Sequence, residues 1–463
     1  ISNWENFITG GEDGMDNSVW PHIQFLSSNV LEGNLADYLG LPTDTQVPLS
    51  SYEVSALPFS AFQKIWYDYY RDQNLQDPAD SDEWKWEPLD DGLNDQTPGG
   101  KNLTGTRRRS WGHSYFTSAL PWTQKGPEAL LPLGSEAPIF AENDPNTQYW
   151  QYIRPGAVGN HGAVNLGQHL TAGGTNAPGP NQDGTMINPP GDVAGNEGYL
   201  DLNGTHYADL SQATASSIND LRRAVKLQEW LEKNARGGSR YTESILVHFG
   251  VHSKDQRLQR PEYLGGISSP VSVSEVLNQA GDSTGTTLQP VGNMAGHGIS
   301  VGTGDYVSKF VEEHGYIMGI MSIMPMEAYS QGVPRHFLRR DKFDYYWPEF
   351  AHIGEQPIEN MEIYVSDDPT NHKETFGYTP RYAEYKNIPS SVHGSFRSTL
   401  DFWHLSRKFA ALPVLNDQFI EMNESETERI FAVQDGTDNM WCHILNEVKA
   451  SRPMPVFGNP KFV

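Results

Sequence analysis

Cysteine is almost missing from this 463-residue chain: Cys442 stands alone. No intramolecular disulfide can form, so burial and hydrogen bonding must hold the fold, as in a reducing cytoplasm. Long apolar runs are missing as well. No stretch reaches the ~18 consecutive apolar residues a membrane helix needs, so no membrane insertion is expected. No stretch reads as a signal peptide. Positive charge is scarce: 33 Lys and Arg face 58 Asp and Glu, a formal net charge of −25, with a pI near 4.9. That excludes an overall basic nucleic-acid binder but leaves room for a local basic patch. The motifs of common chemistries are missing too. There is no G-x-S-x-G, no phosphate-cradling G-x-x-x-x-G-K-[ST] and no C-x-x-C, and Gly302-Thr303-Gly304 lacks the third glycine of a dinucleotide turn. No catalytic pair, metal or cofactor is expected.

What is abundant is turn-forming and aromatic. The chain has 44 Gly and 31 Pro, and its aromatics reach 11%, which suits a loop-rich β protein better than a helical bundle. Its length allows roughly three domains, or one large β-sandwich with insertions. The chain opens on Ile rather than Met, and an end that is processed or incomplete is expected.

Residues 211–266 organise the rest. Ile218, Leu221 and Val225, then Ala224, Leu227 and Leu231, fall at helical spacing. Ser217 is placed to cap this helix, with Asp220 three residues on. Gly237-Gly238 is placed to end it. A second short helix carries Ile245, Leu246 and Phe249, with Gly250 as its stop. Earlier, Pro58 opens a helix with an aromatic stripe of Phe59, Phe62, Trp66, Tyr69 and Tyr70. Residues 78–106 are acidic, then Gly/Thr-rich, and read as an exposed connection. From about 139 to 208 glycine, asparagine and proline dominate. That is too long for a simple connector and marks a functional or disordered loop. Interspersed Tyr149, Trp150, Tyr152 and Ile153 favour an ordered, irregular surface structure. After Gly266 strands are expected at 314–324, 361–365, 396–403, 429–434 and 440–448, the first of them buried because it is apolar almost throughout. Strands separated by long loops indicate a sandwich or jelly roll.

His248 and His252 have the i, i+4 spacing of a metal pair on a helix face, but Gly250 intervenes and no third ligand is well spaced, so a structural pair is the plainer reading. Asp201-Leu202-Asn203-Gly204 begins like a calcium loop and lacks its continuation. The basic clusters Arg107-Arg108-Arg109, Arg222-Arg223 and Arg335 with Arg339-Arg340 stand out in an acidic chain. Ion pairing to neighbouring acids explains any one of them. Phosphate contact is the alternative, and Arg335-His336-Phe337-Leu338-Arg339-Arg340 mixes arginine with an aromatic as single-strand binders do. Composition alone also fits a secreted, acidic, β-rich carbohydrate-active enzyme or a glycan-binding module, which particle size would distinguish from an assembling shell protein.

Ordered sequence blocks carry a resemblance. ARGGSRYTE (235–243), HFGV (248–251) and RLQRPEYLGG (257–266) follow one another in one short stretch. LPFSAFQKIWYDYYRDQNLQD (57–77), the block at 115–127, the block at 314–358 and KASRPMPVFGNP (449–460) complete the set. Together they resemble the major capsid protein of microviruses, of the gokushovirus type. The resemblance implies an all-β core with long insertions: an antiparallel eight-stranded viral jelly roll with several short helices in its loops. Residues 1–138 would be part of that core with a helical insertion, 139–208 a surface protrusion, and 209–463 a helical insertion with the remaining strands of the same domain. It implies a T=1 icosahedral homo-oligomer enclosing circular single-stranded DNA, assembled in the host bacterial cytoplasm and ending in the virion. Further implied partners are a small basic DNA-packaging protein and a host surface receptor. Arg107, Arg108, Arg109, Arg335, Arg339 and Arg340 become candidates to face the DNA, and Tyr149, Trp150, Tyr152 and Ile153 candidates to pack the protrusion around a three-fold axis. In the family the block like Asn3-Trp4-Glu5-Asn6 follows the first jelly-roll strands, which have no counterpart here. Either those strands are missing from this chain or they come from elsewhere, and a jelly roll lacking them would expose unpaired edges.

Overall fold

The computed structural model describes residues 22–25, 33–42, 52–76, 104–127, 129, 139–141, 149–153, 161–165, 199–200, 206–208, 218–258, 260–277, 294–431, 439–453 and 458. The chain forms two units, one of residues 1–123 with 234–463 and one of residues 124–233.

In the first unit β1 (His22–Phe25) pairs antiparallel with β2 (Tyr52–Ser55). Between them lies the helical turn α1 (Leu35–Tyr38), capped by Asn34, whose side chain accepts from the Asp37 N–H at 3.0 Å. Helix α2 (Leu57–Ile65) starts with Pro58 in its first turn, where a missing N–H is harmless. It continues as a π-helical turn, Trp66–Tyr70, closed by Arg71 N–H donating to Trp66 O at 3.0 Å. Ile23, Leu35, Ala36, Ala56 and Phe59 bury one another in a small core here.

Among the described residues the second unit holds five short strands. β3 (Ile139–Ala141) pairs with β7 (His206–Ala208), and β4 (Tyr149–Ile153) lies between β5 (His161–Asn165) and β6 (Tyr199–Leu200), all antiparallel. The rest of the segment 139–208 lies outside the described residues.

Helices α3 (Ile218–Arg236) and α4 (Tyr241–Phe249) stand where the helical spacing placed them. Gly250 ends α4 at φ 67°, with its N–H on Leu246 O at 2.8 Å. The capping role assigned to Ser217 falls outside the described residues.

Beyond them β8 (Ser272–Leu277) and β9 (Met294–Ile299) form an antiparallel ribbon. Two-residue β10 (Ala328–Tyr329) and β13 (Ser390–Ser391) pair in parallel. β11 (Glu355–Glu359) pairs antiparallel with β12 (Thr375–Pro380), with a register shift at Ile358/Glu359. The helical turn α5 (Asn360–Ile363) follows β11, and α6 (Asp417–Ile420) and α7 (Glu424–Thr427) close the series. The main core sits on the β11–β12 pair. Ile358, Ile363, Phe376, Phe419 and Ile420 are buried there with Tyr115 and Phe116.

Several expected strands are corrected. Residues 361–363 do not extend. Asn360–Ile363 is a helical turn because the Glu362 carboxylate accepts the Glu359 N–H at 2.9 Å and Tyr364 N–H closes onto Asn360 O at 2.9 Å. Residues 396–403 form two 3-10 turns, Gly394–Arg397 and Asp401–Trp403. Their carbonyls are taken by side chains instead of a ladder: His404 on Phe396 O, and Arg429 on Asp401 O. Glu428–Ile430 is likewise a 3-10 turn, and 432–434 falls outside the described residues. Residues 314–324 and 440–448 form no strand and bear no ladder among the described residues, and the first is largely exposed, not buried; Ile317 is 75% exposed. An apolar period fixes which side chains want burial, but a strand exists only when a partner supplies its hydrogen bonds. Among the described residues every sheet has two or three strands, and none closes into a barrel.

Candidate functional site

The sequence blocks at 57–77 and 235–266 are far apart in the chain and meet in the fold. The π-helical turn, with the bend after it, presents polar groups toward the loops around α4. Tyr69 donates its hydroxyl to Pro261 O at 2.5 Å. Arg240 donates to Arg71 O at 3.0 Å, and Arg260 to Asp68 O at 3.2 Å and to the Thr242 hydroxyl at 2.8 Å. The Gln73 side chain bridges: its Nε2 donates to Glu243 Oε2 at 3.1 Å, and its Oε1 accepts the Ser239 N–H at 3.0 Å. The Arg260 guanidinium lies 4.8 Å from the centre of the Tyr69 ring, and Arg71 lies 4.5 Å from that of Tyr67. Planar, forked guanidiniums suit this role because they stack on a ring and fill carbonyls at once.

The electrostatics of this junction follow from burial. Desolvation pulls the Arg240 pKa down, against the pull of Glu243, and Arg260 and Arg71 add to the lowering. Tyr69 is pushed up to about 12, first by desolvation and then by the Asp255 carboxylate. Asp255 in turn sits 3.6 Å from Arg260. The signature residues therefore act as a clamp that fixes two distant stretches of chain.

A second charged constellation lies under β11. Glu362 is only 5% exposed. It accepts from Arg335 Nη1 at 2.5 Å, from the Tyr115 hydroxyl at 2.8 Å and from the Glu359 N–H at 2.9 Å. Desolvation raises the Glu362 pKa, with Arg335 the foremost opposing influence. Tyr115 is raised by burial and by the facing carboxylate. Nearby, Arg407 is buried at 2% exposure. Its guanidinium lies 4.3 Å from the Phe419 ring centre and 4.9 Å from that of Trp111, with Nε 3.4 Å from Glu426.

The candidate arginines all have partners inside the chain. Arg335 is held by Glu362, and Arg340 makes a bidentate contact with Glu359 at 3.0 and 2.9 Å. Arg339 lies over Tyr345 and Tyr385. Arg107 donates to Gln63 at 2.6 Å and covers Trp66, and the Arg108 carbonyl accepts from the Trp66 indole at 3.0 Å. Arg109 donates to the Ser322 hydroxyl and lies over Tyr70. Arg335 and Arg340 face carboxylates, whereas Arg109 meets a hydroxyl and a ring. Tyr149, Trp150, Tyr152 and Ile153 lie together on β4, and their side-chain packing falls outside the described residues. His248 contacts Asn234 at 2.7 Å, and His252 lies beyond the end of α4, so the two do not share a helix face. Among the described residues no group of three or more His, Cys, Asp or Glu is placed to hold a metal ion.

Sequence reasoning missed the Tyr115–Glu362 contact, which joins residues 247 apart, and the caged Arg407. Local pattern carries no signal for either, since a buried Glu and a solvated one read alike. Arg260 and Tyr69, by contrast, stand inside the blocks already singled out.

A family model described as capsid protein (F protein) matches residues 1–462. The chain belongs to this capsid family. Capsid protein VP1 of Chlamydia phage 1 is 35% identical over 510 residues, covering 99% of this chain and 83% of the relative. Capsid protein VP1 of Bdellovibrio phage phiMH2K is 36% identical over 473 residues, covering 99% and 82%. Capsid protein VP1 of Spiroplasma virus 4 is 34% identical over 442 residues, covering 92% and 76%. The chain is a structural capsid protein of the microvirus kind and a component of the virion that assembles with itself into a shell. That role stands in place of the carbohydrate-active alternative open on composition. The clamp and the buried Glu362 triad are therefore features of a frame that must hold its shape in a shell. No helix of the described residues is long and apolar enough to cross a membrane.

Proposed function

We propose that this capsid protein builds a T=1 icosahedral shell around circular single-stranded DNA, without catalytic activity of its own. The observation that carries the reading is the family match over residues 1–462. Its subunit core is an antiparallel eight-stranded jelly roll with long insertions. The antiparallel β11–β12 pair and the apolar sequence of 314–324 and 440–448 support this, because they supply material for a larger sheet. A sandwich of this kind suits a shell: its wedge tiles, its loops make the contacts, and interface burial provides the energy. Electron microscopy and sedimentation of the purified protein test it. Sixty copies of a 51.7 kDa chain make a closed particle of about 3 MDa. A monomer or small oligomer at every concentration would refute the shell.

The DNA contact falls best on Arg109. The neutral partners of Arg109 favour it over Arg335 and Arg340, whose charges are taken up by Glu362 and Glu359. A small basic packaging protein would share the neutralisation of the genome. Arg109→Ala should lower DNA content per particle more than particle yield; equal losses of both would count against it. Residues 139–208 form the protrusion that meets a host surface receptor, gathered in threes around an axis, since recognition sits on loops carried by a rigid scaffold. Deleting them should spare folding of the core and abolish infection. Intact infectivity would end this assignment.

A further inference from the structure

Four aromatic rings in the first unit make one patch, and each is about half in water: Tyr345 is 53% exposed, Tyr346 54%, Trp347 47% and Tyr385 47%. The Arg339 guanidinium joins two of them, 5.0 Å from the centre of the Tyr345 ring and 4.7 Å from that of Tyr385. Tyr385 lies 6.2 Å from Tyr346, and both pack on the buried Tyr382, at 5.9 and 5.0 Å. A ring packed on one side and open on the other offers a flat apolar face to a planar ligand.

The patch is held in place. The Trp347 indole N–H donates to Lys342 O at 2.9 Å, and the Trp347 backbone N–H donates to the Tyr382 hydroxyl at 3.0 Å. Among the described residues Tyr382 is the one non-glycine residue at positive φ, at 66°. Strain of that kind persists only where the surroundings over-determine it. Rings fixed beforehand lose little freedom when a ligand stacks on them.

Charge narrows the choice of ligand. Arg335 and Arg340 are paired with carboxylates, but among the described residues Arg339 and the exposed Lys342 are not. The nearest acids in the chain are turned onto backbone. Asp344 accepts the Arg340 and Asp341 N–H groups at 2.7 and 2.9 Å, and Asp341 accepts that of Lys342 at 2.5 Å. An apolar partner would cover two cations and give them no counter-charge, which is costly. A single strand of nucleic acid supplies both halves of the match, flat bases for the rings and phosphates for the cations.

We infer that Tyr345, Tyr346, Trp347 and Tyr385 form a stacking site for the bases of single-stranded DNA, with Lys342 meeting a phosphate and Arg339 fixing the rings from beneath. The inference rests on the single-stranded DNA reading above. It adds a contact with bases to the phosphate contact at Arg109.

Fluorescence anisotropy of dispersed subunits with a labelled oligothymidylate of about 12 nucleotides tests this, beside an abasic strand of the same length. The unmodified protein should bind the oligothymidylate at least about fivefold more tightly than the abasic strand. Trp347→Ala and Tyr345→Ala should each weaken oligothymidylate binding by about fivefold or more and leave abasic binding unchanged. Lys342→Gln should weaken both strands alike and flatten the slope of log Kd against log salt by about 0.7. The comparison of the two strands needs no variant, so a misfolded variant cannot mask the answer. Equal affinity for both strands, or no binding of either, overturns the inference. So does full oligothymidylate affinity in both ring variants, and particle loss in them at full affinity would make the patch a contact between subunits instead. Each of these results leaves the DNA reading standing, because Arg109→Ala tests that separately. Unmodified particles that hold no single-stranded DNA overturn both.

Discussion

Replacing Arg335 with Met should destabilise the subunit strongly, and by an amount that depends on pH. Arg335 is the counter-charge of Glu362, whose carboxylate is nearly sealed from water. Met keeps much of the apolar stem and removes the charge. The Tyr115 hydroxyl and the Glu359 N–H still donate to Glu362, so the carboxylate keeps hydrogen bonds but loses its cation. Breaking a buried pair from one side costs about 3–5 kcal/mol. Burial already raises the Glu362 pKa against the pull of Arg335, and losing Arg335 raises it further. A carboxyl whose folded pKa exceeds its unfolded value favours the fold when protonated. That contribution is fully present below the unfolded pKa and is lost as pH rises through the folded pKa. The penalty of Arg335→Met should therefore be largest at about pH 8. It should shrink by about 1.4 kcal/mol for each pH unit between the Glu362 pKa of the variant and the lower, already raised one of the unmodified protein, and stay constant below that. Urea unfolding of dispersed subunits at about pH 8 and about pH 5, followed by near-UV circular dichroism, reads the difference. The double variant Arg335→Met with Glu362→Gln should recover much of the loss at the higher pH. An equal penalty at both pH values, or a double variant no better than the single, would refute the buried-charge account.

Three further substitutions probe other parts of the frame. A methyl group at Gly332 would run into the backbone carbonyl of Glu362, so Gly332→Ala should cost about 3 kcal/mol in chemical denaturation, at the upper end of overpacking. Gly250 has open space around it but a φ of 67°, so Gly250→Ala should cost only about 1–2 kcal/mol and Gly250→Asn less. Equal losses at the two glycines would show that the steric and conformational causes are wrongly assigned. Arg260→Lys keeps the charge but loses the fork to Asp68 O and Thr242 and the stacking on Tyr69. It should lower stability by about 1–3 kcal/mol, and unchanged thermal unfolding would remove Arg260 from the clamp.

The sequence by itself determined those elements whose reasons are local. The helices at 218–236 and 241–249 follow from apolar spacing, the stop at Gly250 from the freedom of glycine at positive φ, and the opening of the helix at 57–65 from Pro58. The ordered blocks carried the capsid family, because a signature is read along the chain. Tertiary structure decided everything that needs a distant partner. The apolar run at 314–324 pointed to a buried strand, yet burial and a ladder require another strand, and none of the described residues supplies one. Alternation at 396–403 gave way to 3-10 turns because Arg429 and His404 take the backbone carbonyls there. The arginines looked alike as letters. Whether each meets a carboxylate, as Arg335 meets Glu362, or a hydroxyl and a ring, as Arg109 meets Ser322 and Tyr70, depends on which residues the fold brings within ångströms of it. Charge compensation acts through space, and a single sequence records only distance along the chain.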